Sequence, residues 1–461
     1  MSNSKDSIPC IHKFGGTSVG GAEELKAVAN IIRNQTGPTV VVVSAMAGVS
    51  DSLNNLLTNS DEGSWTTSLS KLVEDLRNRH QNALIKLIEG GPERIAVADK
   101  IDHILDEVSV LKFPESETGL PELSDQLMAV GEDLMVEMTV TALKSQGVLS
   151  IGLDARDIIC TDSDFGSAVP DIEAIGHLVP DGVIPFLDLG TVPVIQGFIG
   201  SDTEGRTTTL GRGGSDLTAV LIGAALGVPK VVLWTDVDGI YSADPNFIAT
   251  AEVIPEVGFG EAVELSYFGA KVIHSAAVKH AMAQGVLLRI KNTFKPNLKG
   301  SLIHFKATET FAAVVRKKDV AMIEVEAFPT ALAYGFLARV FEVLGRYQVP
   351  VDLVATSHRY TAFTIDRSQD LSELQCELST FSEVRVVTDI STVTVVGRGL
   401  LRESGLNATV FSVVDKTPVY LISQASDVSI SFVVDDAESP KLVSRLHSSL
   451  IERRMVQKSS S

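Results

Sequence analysis

The sequence is poor in positive charge and in cysteine. Of 461 residues, 39 are Lys or Arg against 58 Asp or Glu, a formal net charge of −19. Nucleic-acid recognition needs clustered cations, so this balance argues against such a partner. It also means that any anion site must be built locally, against the overall field. The three cysteines, Cys10, Cys160 and Cys376, are odd in number, far apart and without paired spacing. That excludes a disulfide framework and a cysteine zinc site, and fits reduced thiols in a cytosol. No uncharged apolar run approaches the roughly 18 residues of a membrane span, and Met1 to Cys10 lacks the basic-then-apolar order of a signal peptide. A cytoplasmic protein with no membrane partner is expected. Familiar nucleotide motifs are missing too. There is no Gly-x-x-x-x-Gly-Lys-Ser/Thr loop and no Gly-x-Gly-x-x-Gly after the first strand. Asp164-Phe165-Gly166 imitates the protein-kinase metal motif, but no His-Arg-Asp loop precedes it.

What is present is a globular chain, 44% apolar, long enough for two to four domains at about 100–200 residues each. Over the first 300 or so residues, β-branched runs such as Val40 to Val43, Val192 to Ile195 and Val231 to Trp234 alternate with Gly- or Ser-rich turns and helical stretches. This is the pattern of a parallel sheet with helices on both faces. Residues 64–123 are more charged and read as a helical excursion from the sheet. Ser215 reads as the cap of a helix over Asp216 to Leu226, and Ser50 as the cap of one starting at Asp51. A repeat follows: Phe336 to Val343 matches Leu406 to Val413, and Val349 to Val354 matches Thr417 to Ile422. Each copy is a helix, a Pro turn and a strand, then a turn and another strand. The expected organisation is an α/β/α sandwich over 1–305 and two small α+β units within 306–461, at about 320–385 and 390–455.

Three Gly-rich clusters stand where strands should end: Lys13-Phe14-Gly15-Gly16-Thr17-Ser18, Gly211 to Asp216, and Trp234 to Tyr241. Glycine there lets backbone N–H groups approach an oxyanion, and a following helix N-terminus favours negative charge. In open α/β sheets ligands bind at the carboxyl ends of strands, so all three clusters can face one crevice.

KFGGTSV at 13–19, QGFIG at 196–200, GRTTTLGRGGSD at 205–216, WTDVDGIYSADP at 234–245 and FGAKVIH at 268–274 resemble, in order, the motif series of the aspartate kinases of the amino-acid kinase family. The C-terminal repeat resembles the paired, ferredoxin-like ACT domains of such enzymes. The resemblance implies transfer of the ATP γ-phosphoryl group to the β-carboxylate of L-aspartate, the step that opens the route to lysine, threonine, methionine and diaminopimelate. Lys13 then steadies the transferring phosphoryl and Asp216 orients Lys13. Arg212 grips the α-carboxylate with Gly213, Gly214 and Ser215 as backbone donors, Glu132 pairs with the α-ammonium, and Ser44 and Ser50 touch the substrate. ATP contacts carry over to Lys13, Phe14, Gly15, Gly16, Thr235, Asp236, Tyr241, Asn246, Lys271 and Val272. Mg²⁺ is expected with the nucleotide and no protein metal cage.

Some positions depart from the family pattern. Asp133-Leu134-Met135 after Glu132 is unusual, which leaves open an exposed helix carboxylate at Glu132. Ser50 stands where Thr is common, Asn246 replaces an Arg and Ser275 a Pro; a higher KM for ATP is expected rather than loss of activity. An amino-acid effector is expected around Phe336, Leu337, Val351, Asp352, Ser357 and His358. The bases His358 and Arg359 stand where lysine inhibition would favour an acid, so lysine, threonine or no effector stay open. A homodimer or higher oligomer through the ACT region is expected. The end at Ser461 implies the type without a fused homoserine dehydrogenase. Two rival readings stay open: an amino-acid-sensing protein with an inactive kinase fold, and a kinase of another carboxylate such as glutamate.

Overall fold

A computed structural model describes residues 8–269, 272–305, 311–328, 335–367, 371–402, 405–424 and 426–452. The chain forms two compact units, one built from residues up to 240 with 272–305, the other from 241–271 with the chain beyond 305.

The first unit opens with β1 (Cys10–Phe14), α1 (Ala22–Arg33) and β2 (Thr39–Val43). The β2 sequence TVVVV is buried along its whole length, as expected of a strand covered on both faces. In α1, Leu25, Val28, Ala29 and Ile32 recur at helical spacing and are buried on one face. After α2 (Val49–Asn59), the helical excursion expected over 64–123 holds α3 (Trp65–Leu87) and α4 (Pro92–Ser109), and it is followed by α5 (Leu120–Ser145). Then come β3 (Ser150–Leu153), α6 (Ile172–Asp188), β4 (Val192–Gln196), the hairpin β5 (Ile199–Ser201) and β6 (Thr207–Thr209), α7 (Gly214–Ala225) and β7 (Lys230–Thr235). The segment 241–271, with β8 (Glu256–Gly258) and α8 (Phe259–Phe268), belongs to the second unit. The chain returns with α9 (Ser275–Gln284), β9 (Leu287–Asn292) and β10 (Ser301–His304).

Strands of the first unit lie in the order β3-β4-β2-β1-β7-β9-β10. All neighbours are parallel except β10, which runs against β9. Helices α1, α3 and α5 pack together, as do α6, α7 and α9, giving the expected α/β/α sandwich. Lys13 is in register with Val42 of β2 and Leu233 of β7, so the ends of the three central strands lie side by side.

The second unit continues with β11 (Phe311–Ala327), α10 (Phe336–Arg346), β12 (Val354–Thr356), β13 (Tyr360–Asp366), α11 (Ser372–Leu378), β14 (Ser382–Gly397), α12 (Leu406–Val414), β15 (Leu421–Ser423), β16 (Ser429–Asp435) and α13 (Ser439–His447). The two repeats share one antiparallel sheet in the order β12-β13-β11-β14-β16-β15. The long strands cross from one core to the other. Ala321, Ile323 and Val325 of β11 pack with Phe336, Val340 and Phe363, whereas Val314 packs with Val393, Phe432 and Leu442. A register shift between Lys317 and Val320 separates the two halves of β11.

Where the sequence suggests one break near residue 305, the chain therefore also changes units after Ile240 and after Lys271. Packing explains it: Ala243 and Ile248 are buried in the second repeat's core, and the Ser242 hydroxyl lies 2.9 Å from His447 Nε2.

Candidate active site

Lys13 leaves β1 at its carboxyl end and meets Asp216, in the first turn of α7, at 2.6 Å. Each side chain is 12% exposed, so the pair lies in a crevice that a ligand can still reach. The turn after β1 runs against the one after β2. A Cβ on Gly16 would stand 2.8 Å from the Ala45 carbonyl oxygen, an approach only glycine allows. The Gly16 carbonyl accepts from Ala47 N–H at 3.2 Å, and Phe14's from Ser44 N–H at 3.1 Å. The Gly15 N–H is engaged by the Trp234 carbonyl at 3.2 Å.

The start of α7 differs from the sequence expectation. Its N-cap is Gly213, in the left-handed region at φ 75°, and Ser215 lies inside the helix. A Cβ at Gly213 would meet His274 Cβ at 2.1 Å, so glycine is required twice over. Likewise α2 begins at Val49 after Gly48, at φ 79°, which places Ser50 within the helix instead of capping it. In both cases the left-handed glycine turns the chain before the serine is reached. The N–H of Gly214 donates to the Gly211 carbonyl at 3.0 Å, whereas the amides of Ser215 and Asp216 sit in the first turn, where N–H groups have no intrahelical acceptor. Arg212 is exposed and makes no hydrogen bond or ion pair with a described residue. Phe198, within QGFIG, also takes a left-handed φ of 73°, held by its N–H on Thr218 Oγ1 at 3.0 Å.

Glu132 is not an exposed helix carboxylate. It is 3% exposed on α5, and its Oε1 accepts from Ala45 N–H at 3.1 Å, while Oε2 is buried with no partner among the described residues. Burial pushes the carboxyl up to about 8; the neighbouring Asp133 charge adds to this, and the Ala45 hydrogen bond and the Lys13 charge oppose it. Its neighbour Asp133, which reads from sequence as a mere departure, anchors a network. Arg156 donates from Nη1 and Nη2 to its two oxygens at 3.0 and 2.9 Å, and Gln196 Nε2 donates at 3.0 Å. Nothing in the sequence links these three residues, which the fold alone brings together.

At the end of β7, Thr235 Oγ1 donates to Asp236 Oδ1 at 3.1 Å. Buried Asn292 braces the turn, donating to the Asp236 carbonyl at 3.0 Å and to Asp238 Oδ1 at 2.6 Å. His274 packs on Gly213; burial lowers its pKa, the Asp216 charge raises it, and Arg212 lowers it. Ser275 is the first residue of α9, a position where proline is also well accommodated. Val272 opens the returning segment, and Lys271 lies outside the described residues. Tyr241 and Asn246 belong to the second unit, where the Asn246 side chain donates to Asp244 at 3.0 Å.

Among the expected effector residues, Phe336 is in the core and Leu337 is 37% exposed beside it. Val351 packs at the edge of the same core, the Ser357 N–H donates to the Tyr360 carbonyl at 2.7 Å, and His358 is exposed. Asp352 is already engaged, by Lys317 at 2.5 Å and the Tyr267 hydroxyl at 2.7 Å.

A model of the amino acid kinase family matches residues 9–292, and one of the ACT domain matches 393–450. The chain is 32% identical over 453 residues to the lysine-sensitive aspartokinase 3 of Escherichia coli (strain K12), covering 96% of this chain and 99% of that protein. The chain belongs to the aspartokinases, within the amino acid kinase family. Two solved structures of E. coli aspartokinase III cover 96% of this aspartokinase chain and 100% of their own, at 31% identity. One, in complex with aspartate and ADP and described as the R-state, superposes with a TM-score of 0.81; the other, with lysine and aspartate in the T-state, with 0.80. Among the described residues, no helix is long and apolar enough to cross a membrane.

Proposed function

We propose that this aspartokinase moves the γ-phosphoryl group of ATP onto the β-carboxylate of L-aspartate, giving 4-phospho-L-aspartate, with Lys13 as the central cation. The observation that carries this is the 2.6 Å Lys13–Asp216 pair at a strand end, near a buried, half-satisfied Glu132. Aspartate's β-carboxylate, with an ordinary pKa of about 3.9, is already ionised, so no general base is needed. The obstacle is repulsion between two anions, and catalysis lies in positioning and charge stabilisation. Lys13 supplies the positive charge, and Asp216 fixes the ammonium's position. Glu132 Oε2, which has no partner among the described residues, takes the substrate ammonium once ionised. Arg212, unpaired and exposed, offers a planar fork to the α-carboxylate, with first-turn amides of α7 beside it.

Thr235, Asp236 and Val272 are nucleotide contacts in this reading. Mg²⁺ is part of the ATP substrate, bridging its phosphates. The product feeds lysine, threonine, methionine and diaminopimelate synthesis in a cytoplasmic enzyme. The ACT units pair into a homodimer and take an amino-acid effector, lysine or threonine, beside Asp352. Ligand binding there has to compete with or join the Lys317 and Tyr267 contacts. The test is ADP release with aspartate and glutamate compared side by side. Aspartate-dependent release supports the reading, and a preference for glutamate replaces it.

A further inference from the structure

On the other face of the sheet from the catalytic pair, the first unit contains a cavity of about 490 Å³ between the strands, the end of α1 and residues 296–299. Alternation along β1 sends Lys13 toward α7 and His12 toward α1. The wall carries Lys230, Arg289, Lys291 and Lys299 and no carboxylate. None of the four forms an ion pair with a described residue. Lys291 lies over the Trp234 ring at 5.1 Å, and Arg289 donates only to the Lys299 carbonyl, at 3.2 Å. In a chain of net charge −19, four converging cations without a counter-charge stand out. The Lys291 ammonium is held below its usual range by burial, then by the Arg289 and Lys230 charges.

His12 adds a second, independent feature. It is 2% exposed, and the Trp234 indole N–H donates to its Nδ1 at 2.9 Å. Indole nitrogen is only a donor, so Nδ1 carries no proton and the neutral ring bears it on Nε2. Nε2 is buried without a partner among the described residues. Burial, with the charges of Lys291 and Lys230, lowers this histidine to about 4, which keeps it neutral near pH 7. The cavity wall therefore includes His12, whose N–H donor is unmet, four cations that form no ion pair with a described residue, the Cys10 thiol and amide side chains. A buried donor is expensive to leave unmet, and oxygens of a polyanion satisfy donor and cations together.

We infer that this cavity binds a multiply charged oxyanion of the pyrophosphate class, separately from the catalytic crevice. The strands beneath it, β1 and β7, carry Lys13 and Thr235 one residue beyond His12 and Trp234. Calorimetric titration of the full-length protein with inorganic pyrophosphate tests it, with the crevice filled by aspartate and a non-hydrolysable ATP analogue. Saturable one-to-one binding is expected to persist and to weaken at least tenfold in Arg289→Gln, Lys291→Gln and the exposed Lys299→Gln. Because no ion pair with a described residue is lost, these variants should stay folded. His12→Phe, which keeps every cation, should weaken binding as well. Absence of binding, its loss when the crevice is filled, or wild-type affinity in all three Gln variants overturns the assignment.

Discussion

Replacing Glu132 by glutamine should flatten the pH dependence of aspartate binding. In the folded protein this carboxyl titrates near 8 against an ordinary 4.5, mainly because it is buried. At about 1.4 kcal/mol per tenfold, holding it ionised costs about 5 kcal/mol. The sign follows: its stabilising contribution is complete below 4.5 and is lost as pH rises through 8. Wild type should therefore melt progressively lower between about pH 5 and 9, and Glu132→Gln should show less of this decline. Substrate binding runs the other way, since pairing with the ammonium needs the ionised form. Aspartate KM should rise up to about tenfold for each pH unit below 8 and level off above it. In Glu132→Gln, loss of a charged hydrogen bond worth about 1.5–3 kcal/mol should raise KM roughly 10- to 100-fold, with little pH dependence. Initial rates of ADP release against aspartate concentration, from about pH 6 to 9, measure both effects. A wild-type KM that is flat across this range, or an unchanged KM in the variant, refutes the reasoning.

Three further outcomes are expected. Gly213→Ala, at φ 75° and 2.1 Å from His274 Cβ, should lose about 1–3 kcal/mol of stability and most turnover; wild-type melting and kcat would contradict the placement of the α7 start. Asp133→Asn removes the bidentate charged acceptor of Arg156, which keeps Asp154 at 3.1 Å, and should cost about 1–3 kcal/mol in denaturant unfolding at neutral pH, with unchanged stability counting against the network. Asp352→Asn should leave uninhibited kcat intact and shift the response to lysine or threonine by roughly 5- to 150-fold, and identical inhibition curves would remove Asp352 from the effector site.

The pairing of Lys13 with Asp216 is what the resemblance to aspartate kinases implies, and the fold brings the end of β1 and the first turn of α7 together at 2.6 Å. The buried runs of β2, β4 and β7 are legible in the sequence: β-branched strings in a chain of alternating helices have few other folds to enter. Helix starts are less legible. Ser50 and Ser215 have good capping chemistry, yet Gly48 and Gly213 reach the left-handed region first, a choice set by neighbours such as His274. The Asp133–Arg156–Gln196 network leaves no trace, since α5, the loop after β3 and the end of β4 meet only in the folded state. The repeat is visible in the sequence, but its shared sheet is not. Whether a 17-residue strand such as β11 serves one core or two depends on a register shift that residue types do not announce.

In the proposed reaction the Lys13 crevice phosphorylates aspartate. ATP-dependent aspartyl hydroxamate formation in the presence of hydroxylamine, compared between wild type and Lys13→Ala, tests it most directly. Wild type should form the hydroxamate from aspartate and much less from glutamate. Lys13→Ala should stay folded while losing kcat by at least the roughly 100- to 1,000-fold typical of removing one charge-stabilising donor. No aspartyl hydroxamate above background in wild type, or undiminished turnover in Lys13→Ala, would contradict the account.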